Sequence, residues 1–170
     1  MPANSEIIKV VKEKVQSEIL TRSHVNGPPS DDYKENWLKF TGGISGESLS
    51  AFTTKQIQKV VLERFGTADI SVEKKVVGVD AGLKFDIWNK PERTAFEICL
   101  GAIKNEFEKD ILKGLLDQDT IRLVIFYREY VTGAKGRPYG KSWLGYPAQK
   151  AILERAKILK LEVEPVSLLG

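Results

Sequence analysis

The sequence predicts an α/β fold of the mixed α+β kind, a mixed sheet flanked by helices, and three observations carry that prediction. Three short β-type runs follow one another in the middle of the chain, with turn chemistry between the last two. Helical periodicity stands on both sides of them. The resulting order of helix, three strands, helix, strand, helix, strand calls for a sheet covered by helices.

Each element has its own pattern. Over residues 5 to 20, Ile8, Val11, Val15 and Ile19 lie at helical spacing with Lys9, Lys12 and Glu13 elsewhere on the wheel, as in a half-buried helix. Residues 21 to 51 are rich in Gly, Ser, Pro and Asp around Tyr33, Trp37, Leu38 and Phe40, and read as a long loop or a short helix anchored by aromatics. Thr53 and Gln56 form a capping-box pattern ahead of Ile57, Val60, Val61 and Phe65. With Gly66 as a left-handed stop, a helix is expected from about 54 to 65. The three β-type runs fall at about 72 to 79, 83 to 88 and 94 to 100, with Asn89-Lys90-Pro91-Glu92 as the turn between the last two. Ile103, Phe107, Ile111 and Leu115 recur at fours, which predicts an amphipathic helix over 103 to 116 that tolerates Gly114. Residues 121 to 127 have the composition of a strand buried on both faces. A Gly-rich loop from 132 to 147, a helix carrying Ile152, Ala156 and Leu159, and a strand at 161 to 168 complete the series. Pro165 makes that last strand an edge candidate, because proline cannot donate to a ladder.

At 170 residues the chain fits a single domain, with a core expected at about 54 to 168 and an N-terminal helix and loop over 1 to 53. A net charge of +3 permits a polyanionic partner without demanding one, so any nucleic-acid footprint is expected to be local. One cysteine, Cys99, excludes an internal disulfide framework, and one histidine, His24, excludes two-histidine metal sites and leaves no soft-ligand cluster for zinc. The expected metal is therefore hard and bound by oxygen. No basic-then-apolar leader opens the sequence and no apolar run approaches the roughly 18 residues of a membrane span, so a cytoplasmic protein is expected.

The chemistry concentrates in two of the β-type runs. Alternation in Thr94-Ala95-Phe96-Glu97-Ile98-Cys99-Leu100 sets Phe96, Ile98 and Leu100 on one face and Glu97 with Cys99 on the other. In Leu83-Lys84-Phe85-Asp86-Ile87-Trp88 it sets Leu83, Phe85 and Ile87 against Lys84, Asp86 and Trp88. A two- or four-residue loop centred on Lys90-Pro91 would pair Trp88 with Arg93, Asp86 with Ala95 and Lys84 with Glu97, keeping Phe85 and Ile87 on the side of Phe96 and Ile98. Asp86 and Glu97 then stand diagonally on one face with Cβ atoms roughly 6–8 Å apart. Two carboxylates so placed can share one Mg²⁺ at oxygen distances of about 2.1 Å. The bland alternative is a solvent-facing hairpin with Lys84 and Arg93 as salt-bridge partners.

Asp86, a short hairpin and then Glu97-Ile98-Cys99 resemble the Asp…(Asp/Glu)-x-Lys motif of the PD-(D/E)xK nucleases, and the helix and strand order over about 54 to 168 is similar to their common core. The stretch from Lys84 to Lys113 resembles the BglII-type restriction endonucleases in particular. The resemblance implies a restriction-endonuclease-like fold and metal-dependent hydrolysis of DNA phosphodiesters by a metal-activated water. It implies Mg²⁺, with Mn²⁺ as a substitute, held at Asp86, Glu97 and Ile98. A homodimer acting on double-stranded DNA follows for an enzyme that cuts both strands of a palindrome. Cys99 would occupy the lysine position, which is a departure, because a thiol neither positions nor activates water as an ammonium can. Lys84, expected opposite Glu97, or Lys104 at the start of the next helix would supply the missing charge. Asp80 is a reserve ligand, and Glu63 lies where the superfamily sometimes carries an acidic residue.

Lys135, Arg137 and Lys141, interleaved with Tyr139 and Trp143, suit contacts to a DNA backbone. Gly140-Lys141-Ser142 ends like a phosphate loop, but Gly136 is one residue too close and Trp143-Leu144-Gly145-Tyr146-Pro147 does not continue as the required helix. Two other functions fit the same residues: a non-catalytic DNA- or protein-binding domain of this fold, and a structure-selective repair or junction nuclease.

Overall fold

The computed structural model describes residues 1–18, 49–78, 82–99, 103–127 and 147–168. In chain order these form α1 (Asn4–Glu18), α2 (Leu49–Phe65), β1 (Ile70–Lys75), β2 (Lys84–Asn89), β3 (Thr94–Cys99), α3 (Ile103–Leu116), β4 (Arg122–Tyr127), α4 (Pro147–Ile158) and β5 (Glu162–Ser167). The five strands make one mixed sheet in the order β1-β2-β3-β4-β5. The first three run antiparallel as a meander, and β4 and β5 then add in parallel. A parallel neighbour needs a crossover, and α3 and α4 supply the two.

Helices cover both faces of the sheet. Ile7, Val11 and Val15 of α1 with Ile57 and Val61 of α2 bury Ile70, Ile87, Phe96, Ile98, Val124 and Phe126. Phe107 and Ile111 of α3 with Ala156 of α4 bury Phe85, Trp88, Ala95, Cys99, Leu123 and Ile125 on the opposite face. β4 contributes alternate residues to both layers, which is why its sequence is apolar without a break. Pro165 lies on the edge strand β5, where its missing N–H costs no ladder bond. No described helix is long and apolar enough to cross a membrane.

Local differences from the sequence reading have physical causes. In α1 the innermost residues are Ile7, Val11 and Val15, with Ile8 only half-buried. α2 begins at Leu49, a turn before the expected capping box, and ends as expected at Gly66 (φ +77°), whose N–H donates to Leu62 O at 2.8 Å. β1 starts two residues early and stops at Lys75, because Val76 N–H closes on Leu83 O at 2.9 Å and Gly78 turns left-handed at φ +92°. On α3, Gly114 is the buried residue while Leu115 is 37% exposed, since a strict period of four drifts off a helix of 3.6 residues per turn. A Cβ on Gly114 would lie 2.9 Å from Leu161 Cδ2, so the glycine permits close approach of α3 to the sheet.

The β2–β3 hairpin corrects the expected register. Its rungs are Ile87↔Phe96, Trp88↔Ala95 and Asn89↔Thr94, two residues away from the expected Trp88–Arg93 pairing. Arg93 belongs to a four-residue loop, Lys90 to Arg93, and donates its N–H to Lys90 O at 3.2 Å from a left-handed conformation at φ +48°. Pro91 presets the first bend. The Arg93 guanidinium holds the carbonyls of Asp119 at 2.9 Å and Gln118 at 3.4 Å, which fixes a conformation that arginine rarely adopts. A shift of two preserves side-chain parity. The hairpin is also anchored to α1, where Asn4 Nδ2 donates to Thr94 Oγ1 at 2.9 Å and Asn89 Nδ2 to Asn4 Oδ1 at 3.0 Å.

Candidate functional site

The site begins with an interruption in β2. The β1–β2 ladder runs Ile70↔Asn89, Ser71↔Trp88 and Val72↔Ile87, skips Glu73 and Asp86, and resumes at Lys74↔Phe85 and Lys75↔Lys84. Glu73 sits at the gap with φ +53°. Faces exchange across it: Val72 and Ile87 lie in the α1–α2 layer, whereas Phe85 packs in the α3–α4 layer and Lys74 Nζ lies 4.1 Å from the centre of the Trp88 ring. The expectation that Phe85 and Ile87 share the face of Phe96 and Ile98 therefore holds for Ile87 alone. Strict alternation fails because the strand twists at Asp86.

On its other side β2 parts from β3 beyond the rung Ile87↔Phe96. The Asp86 carboxylate enters the gap, and Oδ2 accepts the N–H of Ile98 at 2.8 Å. Continued past Ile87↔Phe96, the register brings Asp86 opposite Glu97 instead of diagonal to it, and each carboxyl acts on the other's ionisation. β3 keeps its alternation, so Glu97 faces the α3 layer, where it is 4% exposed.

There Glu97 meets a charge that the sequence reading had not singled out. Lys113 Nζ, carried by α3, lies 2.5 Å from Glu97 Oε1 and 2.9 Å from Asp110 Oδ1, and donates to Lys84 O at 3.0 Å. Burial pushes the Glu97 carboxyl well above its ordinary range, the charges of Asp86 and Asp110 push it further, and Lys113 opposes them. Asp86 is also raised by burial, against the lowering effects of the Ile98 N–H and Lys113. Burial by itself would lower the Lys113 ammonium, but Glu97 and Asp110 outweigh it and the net direction is upward.

Among the described residues, the Asp86, Glu97 and Asp110 carboxyls lie within electrostatic reach of one another and of the Lys113 ammonium. Glu97 Oε1 is buried without a hydrogen-bond partner of sound geometry, its contact with Lys113 being one of charge. An oxygen-bound hard cation suits that donor set. Among the described residues no group of three or more His, Cys, Asp and Glu side chains forms a metal cluster, so a cation here would rest on Asp86 and Glu97 and on main-chain or solvent oxygens.

The other expected residues are placed as follows. Lys84 does not point across at Glu97; its ammonium stands 3.6 Å from Glu73 Oε2, and it contributes to the site through its carbonyl. Cys99 shares the face of Glu97 but is 1% exposed among Phe107, Ile111 and Trp88, a core side chain. Ile98 buries its side chain in the opposite layer and offers its main chain to the site. Glu63 is exposed on α2 and pairs with Lys59. The Lys104 side chain, Asp80, His24, Lys135, Arg137 and Lys141 lie outside the described residues.

Lys113, Asp110, Gln58 and Glu73 are the residues that sequence reasoning missed. One signal was present, since Asp110 falls on the buried stripe of α3 with Phe107, Ile111 and Gly114. A carboxylate on an apolar stripe needs a partner, and Lys113 follows it by three residues. Compared with known protein families, curated proteins and solved structures, the chain matches none.

Proposed function

We propose that this chain is a metal-dependent DNA endonuclease with a restriction-endonuclease-like core, in which Asp86 and Glu97 hold Mg²⁺ or Mn²⁺. The observation that carries the reading is the parting of β2 from β3 at Asp86, which sets the half-buried Asp86 carboxyl near the buried Glu97 carboxyl, with a lysine against the latter. The arrangement of an antiparallel meander followed by a helical crossover to a parallel strand also agrees with the core that the sequence resemblance implies.

Asp86 and Glu97 would hold a divalent cation there, which would supply Lewis-acid chemistry toward a phosphodiester and a water of lowered pKa. The protein's part is positional. The Ile98 N–H orients Asp86, and Lys113 cancels one buried negative charge while fixing Glu97. Lys113 brings a charge to the place where Cys99 has none, whereas the Lys84 ammonium is turned to Glu73. Its ammonium is engaged by Glu97, Asp110 and the Lys84 carbonyl, so its first duty is to hold the carboxylate, and it reaches a phosphate only when that pocket opens. The substrate of this reading is double-stranded DNA, cut by a homodimer with two-fold related sites.

Incubation of supercoiled plasmid with the protein in Mg²⁺ or Mn²⁺, against EDTA and Asp86→Ala, tests the reading. Cleavage lost in both controls is expected. Discrete bands would mark a restriction enzyme and a smear a nonspecific nuclease, whereas no product with either metal rejects the activity. A second reading, a non-catalytic DNA-binding domain, is favoured by one observation: Glu97 is already charge-compensated by Lys113. Under that reading the protein binds duplex DNA equally in EDTA and in Mg²⁺ and leaves it intact.

A further inference from the structure

The skipped rung between Glu73 and Asp86 is filled from another element. Gln58 of α2 is 5% exposed, and its Nε2 donates to Asp86 O at 2.8 Å and to Glu73 Oε1 at 3.1 Å. An amide nitrogen has two hydrogens, and these two acceptors use both. The neighbouring Glu73 carboxylate oxygen stands 3.6 Å from Lys84 Nζ. A continuous line of polar contacts thus runs from Lys84 through Glu73 and Gln58 to the Asp86 main chain, and from the Asp86 carboxylate to the Ile98 N–H.

Resting on the function proposed above, we infer that Gln58 is a positioning residue for the Asp86 carboxylate. In a regular strand the side chain of Asp86 would stand off one face of the sheet. To accept an N–H of the neighbouring strand it must lie between the strands, which requires the backbone at Asp86 to rotate out of its ladder. Rotation leaves the part-buried Asp86 carbonyl without a strand partner, and a carbonyl with restricted access to water is costly to leave unpaired. Gln58 supplies the donor. Glu73 accommodates the same rotation on β1 through a left-handed backbone, a conformation that persists in a non-glycine residue where its surroundings impose it. With the Gln58 amide removed, the Asp86–Glu73 rung is free to re-form, and the carboxylate returns toward a sheet face, away from Ile98 and Glu97.

The test uses the full chain with Gln58→Leu, which keeps bulk and removes both hydrogens, and Gln58→Glu, which keeps shape and turns an acceptor toward two acceptors. Two quantities are read: hydrogen exchange of the Ile98 amide by NMR, and Mn²⁺ affinity by titration calorimetry. The expected result is Ile98 exchange about tenfold faster or more, with the Val124 and Phe126 amides changed less than about twofold. Mn²⁺ affinity should fall by about 10- to 100-fold in the folded variants, the usual range for residues that orient a metal ligand. Gln58→Glu keeps the test open if Gln58→Leu does not fold. Folded variants with unchanged Ile98 protection overturn the inference, whatever their metal affinity, because the carboxylate has then not moved. If Ile98 loses protection while the unaltered chain binds no Mn²⁺ and cuts no DNA, the positioning role stands and the proposed activity fails.

Discussion

Lys113 carries its ammonium into a pocket lined by Glu97, Asp110 and the Lys84 carbonyl, so its removal takes a buried cation from Glu97 and Asp110. Replacing Lys113 by Met should destabilise the fold by about 3–5 kcal/mol at neutral pH, the usual consequence of breaking a buried pair on one side. Adding Glu97→Gln should recover part of that loss, and the coupling is measured by denaturant unfolding of the double-mutant cycle. Additive effects would mean that the two side chains do not interact. Acid stability turns on a different residue. Burial would raise the Asp117 carboxyl, but the Thr120 hydroxyl, the Val77 N–H and Lys74 outweigh it and hold it below the ordinary aspartate value. A depressed folded pKa means stability fully present above the unfolded value of 3.8 and lost as pH falls through the folded one. Glu97 acts in the opposite sense, because its raised pKa makes stability decline as pH rises from 4.5 toward the folded value. Asp117→Asn should therefore flatten the acid limb of a stability–pH curve below about pH 4 and leave the decline above it in place. An unchanged acid limb would show that the Asp117 contacts contribute nothing.

Helix ends and hairpin turns decide where each element stops, and here legibility depended on residue type. Gly66 announced the end of α2 because glycine adopts a left-handed conformation freely. Lys160 ends α4 with the same geometry: φ is +64°, its N–H donates to Lys157 O, and Leu161 N–H donates to Ala156 O, both at 3.0 Å. A lysine gives no sign of this in sequence. Arg93 hides in the same way, and with it the two-residue shift of the hairpin. Lys160→Gly should accordingly stabilise the protein by about 1 kcal/mol, while Gly66→Ala, where a Cβ meets nothing within 4 Å, should cost about the same through backbone strain alone. For a chain of this size that is a rise or fall in Tm of about 2–4 °C by calorimetry. A lower Tm for Lys160→Gly would overturn the argument.

The sheet divides the molecule into two apolar layers, and the order of its elements was legible because each strand and helix carries its own periodicity. The core of the site was legible for the same reason, since Asp86 and Glu97 are acids placed in apolar strands. What surrounds them was not, because Gln58 reaches Asp86 from another helix and Lys113 reaches Glu97 from the crossover, and no local pattern encodes a contact between separate elements. The division into layers gives the chain's one thiol a use as a chemical clock. Cys99 is sealed beneath α3 by Phe107 and Ile111, so an alkylating reagent reaches sulfur only when that layer lifts. Modification should run at least about a thousandfold slower than in the denatured chain, since each factor of ten in accessibility reflects about 1.4 kcal/mol of opening free energy. Lys113→Met, which loosens α3 from β3, should speed the clock at denaturant concentrations too low to unfold the protein. Val11→Ala, cut into the layer across the sheet, should speed it only by the amount that global stability falls. Equal acceleration by the two, at equal loss of global stability, would mean that the layers open together, and the thiol would then time the unfolding of the entire sheet.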